Sequence, residues 1–176
     1  MRRPVVGVMG SGTERWDDLA GPLGTWLAGQ GCHLLTGGGG GVMSAVSEAF
    51  AEVERRGGSV IGVLPGQPDG AGCETPPGYP NDWVEVAIRT HLPLRGSEGG
   101  EPMSRNHVNV LTADLLIVLP GNEGTQSEVV LAERYGRPVI LFGPTEAFAA
   151  FPADVERTGS ITRIHEFVRT HLAGRR

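Results

Sequence analysis

The stretch RNHVNVLTADLLIVLPGNEGTQSE, Arg105 to Glu128, decides the fold. Asp114-Leu115-Leu116-Ile117-Val118-Leu119 is an apolar run that opens on a polar residue and stops at Pro120-Gly121, the pattern of a parallel strand buried on both faces. Pro120-Gly121-Asn122-Glu123-Gly124 is a compact turn, and Thr125 to Arg134, with Val129, Val130, Leu131 and Ala132, reads as a helix. Strand, glycine-bearing turn and helix N-terminus in succession offer free backbone N–H groups and a positive dipole end to an anion, usually a phosphate. Arg105 precedes the strand and Glu128 lies one turn into the helix. Both therefore converge on the C-terminal edge of a sheet, where open α/β sheets bind ligands.

Upstream, the same unit repeats. Val5 to Met9 is a buried strand ending in Gly10-Ser11-Gly12-Thr13, and a helix from Trp16 carries Leu19, Leu23, Trp26 and Leu27 at helical period, with Pro22 expected to kink or split it. Cys32 to Leu35 is a strand that runs through Thr36 into Gly37 to Gly41. A helix from Val42 to Arg56 follows, its apolar face made by Val42, Ala45, Val46, Ala49, Phe50 and Val53, with Gly57-Gly58 as its cap. Ser59 to Leu64 is a third strand, so the order is βαβαβ and the expected fold is a single α/β domain over residues 1–176. That domain is a Rossmann-like, doubly wound parallel sheet with helices on both faces. Pro65 to Asn81 and His91 to Met103 read as long loops around an extra strand from Trp83 to Ile88. A short helix spans Ser104 to Thr112, Val139 to Phe142 is a further strand, and Ile161 to Leu172 is a closing helix with Ser160 as N-cap.

Composition narrows the chemistry. The chain has 176 residues and a net charge of -5, with its basic residues scattered, so nucleic-acid binding is not expected. Lysine is absent, which excludes a lysine Schiff base and the P-loop lysine. Cys32 and Cys73 are far apart and no histidine stands at metal-ligand spacing, so no metal is expected. The apolar start broken by Gly7 is too short for a secretion signal or a membrane span, and a cytoplasmic protein without membrane partners is expected.

The candidate ligand contacts are Gly10 and Ser11, the run Gly37, Gly38, Gly39, Gly40 and Gly41 with Met43 beyond it, and Pro120, Gly121, Asn122, Gly124 and Thr125. Gly37 to Gly41 either allow a phosphate close to the backbone or make a tight turn that lets a helix pack. Five glycines exceed what a turn needs, so ligand contact is favoured. The register gives no G-x-G-x-x-G, because Val42 and Met43 stand where glycine would be required. Glu128 could support an oxocarbenium-like centre or activate water at a glycosidic carbon, or merely complement the helix dipole. Glu123 would repel a phosphate unless it points outward. Asp114 reads as structural, and none of the five histidines pairs into a catalytic arrangement.

Thr36 to Met43, Arg105-Asn106 and Pro120 to Glu128 resemble the LOG (Lonely Guy) phosphoribohydrolases, often misnamed lysine decarboxylases, whose mark is PGGxGTxxE. That resemblance implies hydrolysis of the N-glycosidic bond of a nucleoside 5′-monophosphate, with phosphate on Gly121, Gly124 and Thr125 and with Arg105 and Glu128 catalytic. Asn122 replaces the second glycine of the mark, and Asn106 stands where lysine is usual. Over nearly the whole chain the closer resemblance is to the molybdenum cofactor carrier proteins. It is carried by Pro4 to Gly10, Leu34 to Gly38, Gly62 to Gly66 and Arg137 to Leu141. It implies a binder of a phosphate-bearing pterin that requires no cofactor of its own, holds molybdenum cofactor as cargo, and assembles as a homo-oligomer, a dimer or tetramer. The long Pro65 to Met103 cover favours the carrier; the intact Arg105 to Glu128 spacing favours the hydrolase. A nucleotide-sensing regulator on the same fold would share these features.

Overall fold

The structure is a computed structural model and describes residues 2–67 and 74–173. Cys73 and the middle of the Pro65 to Asn81 loop lie outside the described residues. Five of the strands and their helices follow in order: β1 (Val5–Met9), α1 (Asp17–Ala28), β2 (His33–Thr36), α2 (Val42–Ala51), β3 (Val60–Leu64), β4 (Val86–Arg89), α3 (Asn106–Thr112) and β5 (Leu115–Val118). The chain then continues through α4 (Glu123–Arg134), β6 (Val139–Phe142), β7 (Arg157–Thr158) and α5 (Ile161–Ala173). The sheet is parallel throughout, in the order β4-β3-β2-β1-β5-β6-β7.

The period of two along the central strands sorts the core into two layers. Val6, Val8, Leu34, Leu115, Ile117, Ile140 and Phe142 pack with α1, α2 and α5, while Met9, Leu35, Leu116, Val118 and Leu141 pack with α3 and α4. Both faces of the sheet are thus covered, which is why its strands read as continuous apolar runs. The chain order reverses direction between β1 and β5. The crevice that opens there, beyond the C-terminal ends of those strands, is where the site lies.

Four local expectations are corrected. First, α1 runs unbroken through Pro22. The proline is exposed, and the buried face of Ala20, Leu23, Gly24, Leu27 and Ala28 outweighs one missing backbone bond. Gly24 lets α1 approach α2 closely, since a β-carbon there would lie 2.6 Å from the Val46 carbonyl oxygen. Second, α2 ends at Ala51, not Arg56. Gly57 and Gly58 do not cap it: the Gly57 N–H donates to the Ala28 carbonyl (3.2 Å), and a β-carbon on Gly58 would collide with the Cys32 carbonyl. Third, the extra strand is Val86–Arg89 on an exposed edge, and β7 is an additional two-residue strand that the sequence pattern did not mark. Fourth, α4 begins at Glu123 rather than Thr125, with Asn122 as its N-cap, so Glu128 lies in its second turn. Ser160 behaves as expected, accepting from the Arg163 N–H (3.4 Å) at the start of α5.

Candidate functional site

A cavity of about 220 Å³ occupies the crevice between β1 and β5. Of the residues expected there, Gly10, Met43, Arg105, Asn106, Asn122, Gly124, Thr125 and Glu128 line it. Met9, Gly12, Tyr79, Arg95 and Gly96 line it too. Tyr79 and Arg95 were not anticipated as site residues: each stands in a long loop without periodicity, and a lone aromatic between prolines and glycines is the only local mark of Tyr79.

Ser11, Gly37 to Gly41, Pro120 and Gly121 stand beside the cavity rather than in its lining. Ser11 is occupied with the β1–α1 connection. Its Oγ accepts from the Glu14 N–H (2.9 Å), its N–H donates to the Pro120 carbonyl (3.0 Å), and its carbonyl accepts from Val42 (2.9 Å). The room beside the glycine run is taken by other parts of the chain. A β-carbon on Gly37 would strike the Arg105 guanidinium, and one on Gly39 would lie 2.8 Å from the Tyr79 ring and 2.9 Å from Met43 Cε. Gly38 and Gly41 also need positive φ, +74° and +59°. Asn81 fastens the Tyr79 loop to this run, donating from its N–H to the Gly38 carbonyl and from Nδ2 to the Gly39 carbonyl, both at 2.8 Å.

Arg105 is 6% exposed and leads into α3. Its Nη1 donates to the carbonyls of Gly37 and Val63, so the guanidinium ties the ends of β2 and β3 together. Its Nε is buried without a hydrogen-bond partner, and its Cζ lies 5.4 Å from the centre of the Tyr79 ring, within cation–π range. Burial pulls the guanidinium below its ordinary value, opposed by Tyr79 and Glu128. An arginine nevertheless stays protonated.

Glu128 is 7% exposed and accepts from Asn109 Nδ2 at 2.8 Å. Burial pushes its carboxyl up to about 7, with Arg105 and the Asn109 hydrogen bond pulling the other way. Asn109 is wholly buried and its Oδ1 has no partner. One helical turn earlier, Asn106 Nδ2 donates to Ser127 Oγ (2.9 Å) and the Gly124 carbonyl (3.3 Å). The two asparagines thus bind α3 to the first turns of α4, and Asn106 acts as a latch where a lysine would place a charge. Asn122 caps α4 without a side-chain hydrogen bond, leaving its amide to the cavity. Glu123 is exposed and is not among the lining residues, so its charge is turned away from the helix N-terminus facing the cavity.

The profile of the SLOG cluster4 family matches residues 3–168. The chain belongs to the SLOG cluster4 family. Solved structures resembling this SLOG protein include the molybdenum cofactor binding protein from the phototrophic bacterium Rippkaea orientalis. The two are 31% identical, the match covers 97% of this chain and 98% of the other, and the TM-score is 0.74. The molybdenum cofactor carrier protein from Chlamydomonas reinhardtii is 30% identical, with 98% and 99% covered and a TM-score of 0.73. An uncharacterized protein from Archaeoglobus fulgidus is 30% identical over 146 residues, 82% of this chain and 83% of its own length. The superfamily and the fold read from the sequence are therefore the right ones for this SLOG chain. Among its described residues no helix is long and apolar enough to cross a membrane, and no group of three potential ligands is placed to hold a metal ion.

Proposed function

We propose that the protein carries a phosphate-bearing pterin of the molybdenum cofactor type, held intact as cargo in the cavity between β1 and β5. The observation that carries this reading is the charge of the cavity. Arg95, Arg105 and the N-terminus of α4 face it, against one carboxyl, Glu128, that burial holds at about 7, in a chain whose net charge is -5. A cationic pocket in an acidic protein suits an anionic ligand. The donors fit a phosphate at one end: the first N–H groups of α4, the Asn122 amide and the unpartnered part of the Arg105 guanidinium. Met9, Met43 and Tyr79 offer an apolar wall for a flat heterocycle. The whole-length likeness to two molybdenum cofactor proteins adds support.

In this reading Arg105 orients the ligand while holding β2 to β3, and burial keeps Glu128 mostly protonated below neutral pH, which lessens its repulsion of the anion. No bond is broken. A homo-oligomer is part of the proposal, supported by the apolar Leu111 of α3 and Val130 of α4, 46% and 49% exposed. A reducing cytoplasmic setting is supported by the free, buried Cys32, whose thiol burial pushes up to about 12.

One observation favours the alternative, a nucleoside 5′-monophosphate phosphoribohydrolase. Glu128 shares a cavity with Arg105 and has a pKa near the working pH, as a general acid or base requires. The two readings separate on incubating the protein with a panel of nucleoside 5′-monophosphates and following free base by chromatography. The carrier reading expects none. Base released by the wild type but not by Glu128→Gln would replace it with the hydrolase.

A further inference from the structure

β4 is the outermost strand on its side of the sheet, and all four of its residues are exposed. Val86 and Ile88, 47% and 36% exposed, stand level with Ile61 and Val63 of β3, on the α3 and α4 face of the sheet. Ala87 and Arg89 alternate with them on the other face, and Glu85 just before the strand continues the alternation. The Thr90 N–H donates to the Leu64 carbonyl (3.3 Å). Alternation back along the extended chain turns the backbone groups of Ile88 and Val86 toward β3 and leaves those of Arg89 and Ala87 at the open edge. Such an edge is a template for another strand.

The charges along this edge are placed symmetrically. Glu85 and Arg89 lie two residues either side of Ala87 and are opposite in sign. The Glu85 carboxylate is fixed in place, accepting from the Val60 N–H (2.9 Å) at Oε2 and from Arg56 at Oε1. Arg89 is exposed and has no ion pair among the described residues. A second β4 laid antiparallel, Ala87 opposite Ala87, puts each Glu85 against the other copy's Arg89 and each Val86 against the other copy's Ile88, on matching faces. A two-fold axis at Val86 instead would face Glu85 with Ala87 and leave both charges unmatched.

We propose that β4 pairs antiparallel with β4 of a second copy of this chain about a two-fold axis at Ala87, joining two seven-stranded sheets into one. The two Ala87 residues exchange backbone hydrogen bonds, and each Arg89 N–H donates to the other copy's Glu85 carbonyl. The charge pairs select the register, while Val86 and Ile88 lose their exposure against each other. The contact is self-complementary. It is separate from the face that carries Leu111 and Val130, and it is independent of what the cavity holds.

The test is disulfide trapping of the full chain in a Cys73→Ser background, where the remaining Cys32 is buried. Directly opposed residues of a hydrogen-bonded antiparallel pair have Cα atoms about 5.5 Å apart, within the reach of a disulfide. Under mild oxidation by glutathione disulfide, Ala87→Cys should give a covalent dimer about tenfold faster or more than Val86→Cys, whose two copies stand out of register beyond the roughly 7 Å limit. Sedimentation equilibrium supplies a second arm. Arg89→Glu sets carboxylates against each other at both ends of the pairing and should weaken one association step about tenfold; Arg89 is exposed, so the fold is kept. Equal trapping at the two positions, no trapping at Ala87→Cys, or wild-type association of Arg89→Glu would each overturn the inference.

Discussion

Replacing Glu128 with Gln keeps the shape and removes the charge, and its effect on stability depends on pH in a way the site dictates. In the folded protein the Glu128 carboxyl is held at about 7 against an ordinary 4.5, chiefly by burial. Below the ordinary value the carboxyl is protonated both folded and unfolded, and its contribution to stability is complete. Between the two values the unfolded chain releases the proton while the folded protein keeps it, so stability falls as pH rises. Above about 7 both states are ionised and the loss is complete. At about 1.4 kcal/mol per pKa unit the loss is about 3 kcal/mol. Glu128→Gln has no such titration. Part of the wild-type loss is already complete at pH 5, so the variant's stability relative to wild type should rise by about 2–3 kcal/mol between pH 5 and pH 8. Urea unfolding of both proteins at the two pH values measures this. A difference that changes by less than about 1 kcal/mol over that interval, or that changes in the opposite direction, would refute the assignment of Glu128 as a buried, near-neutral carboxyl.

Two further outcomes follow from neighbouring contacts. Asn109→Ala removes the hydrogen bond that pulls the Glu128 carboxyl down, so its titration should move to higher pH, readable from the carboxyl carbon shift by NMR; no movement would show that Asn109 does not tune it. Gly58→Ala drives a β-carbon into the Cys32 carbonyl and should cost about 1–3 kcal/mol in chemical unfolding, whereas wild-type stability would mean that the two connections are free to separate.

The strands were legible because each central strand is buried on both faces and so carries an uninterrupted apolar run, Leu115 to Val118 being the plainest. The anion-facing start of α4 was legible because strand, turn and helix follow one another within a few residues. The end of α2 was not. Val53 continues the helical period, yet the chain leaves the helix at Glu52 because Gly57 and Gly58 must pass over Gly31 and Cys32. Sequence also cannot say what fills the space beside a glycine: Gly37 and Gly39 make room for Arg105, Tyr79 and Met43 as readily as for a ligand. Tyr79 and Arg95 reach the cavity through contacts without local signature, the Asn81 bonds to Gly38 and Gly39 and the packing of Gly96 on α4.

The central claim, that the cavity holds a phosphate-bearing pterin without cleaving it, is tested most directly by incubating the protein with molybdenum cofactor freshly released from a molybdoenzyme, separating bound from free by gel filtration, and measuring molybdenum and phosphorylated pterin in the protein fraction. Close to one intact cofactor per chain is expected, displaced by excess methyl phosphate. A protein fraction free of both, from a preparation that releases base from a nucleoside 5′-monophosphate, would contradict it.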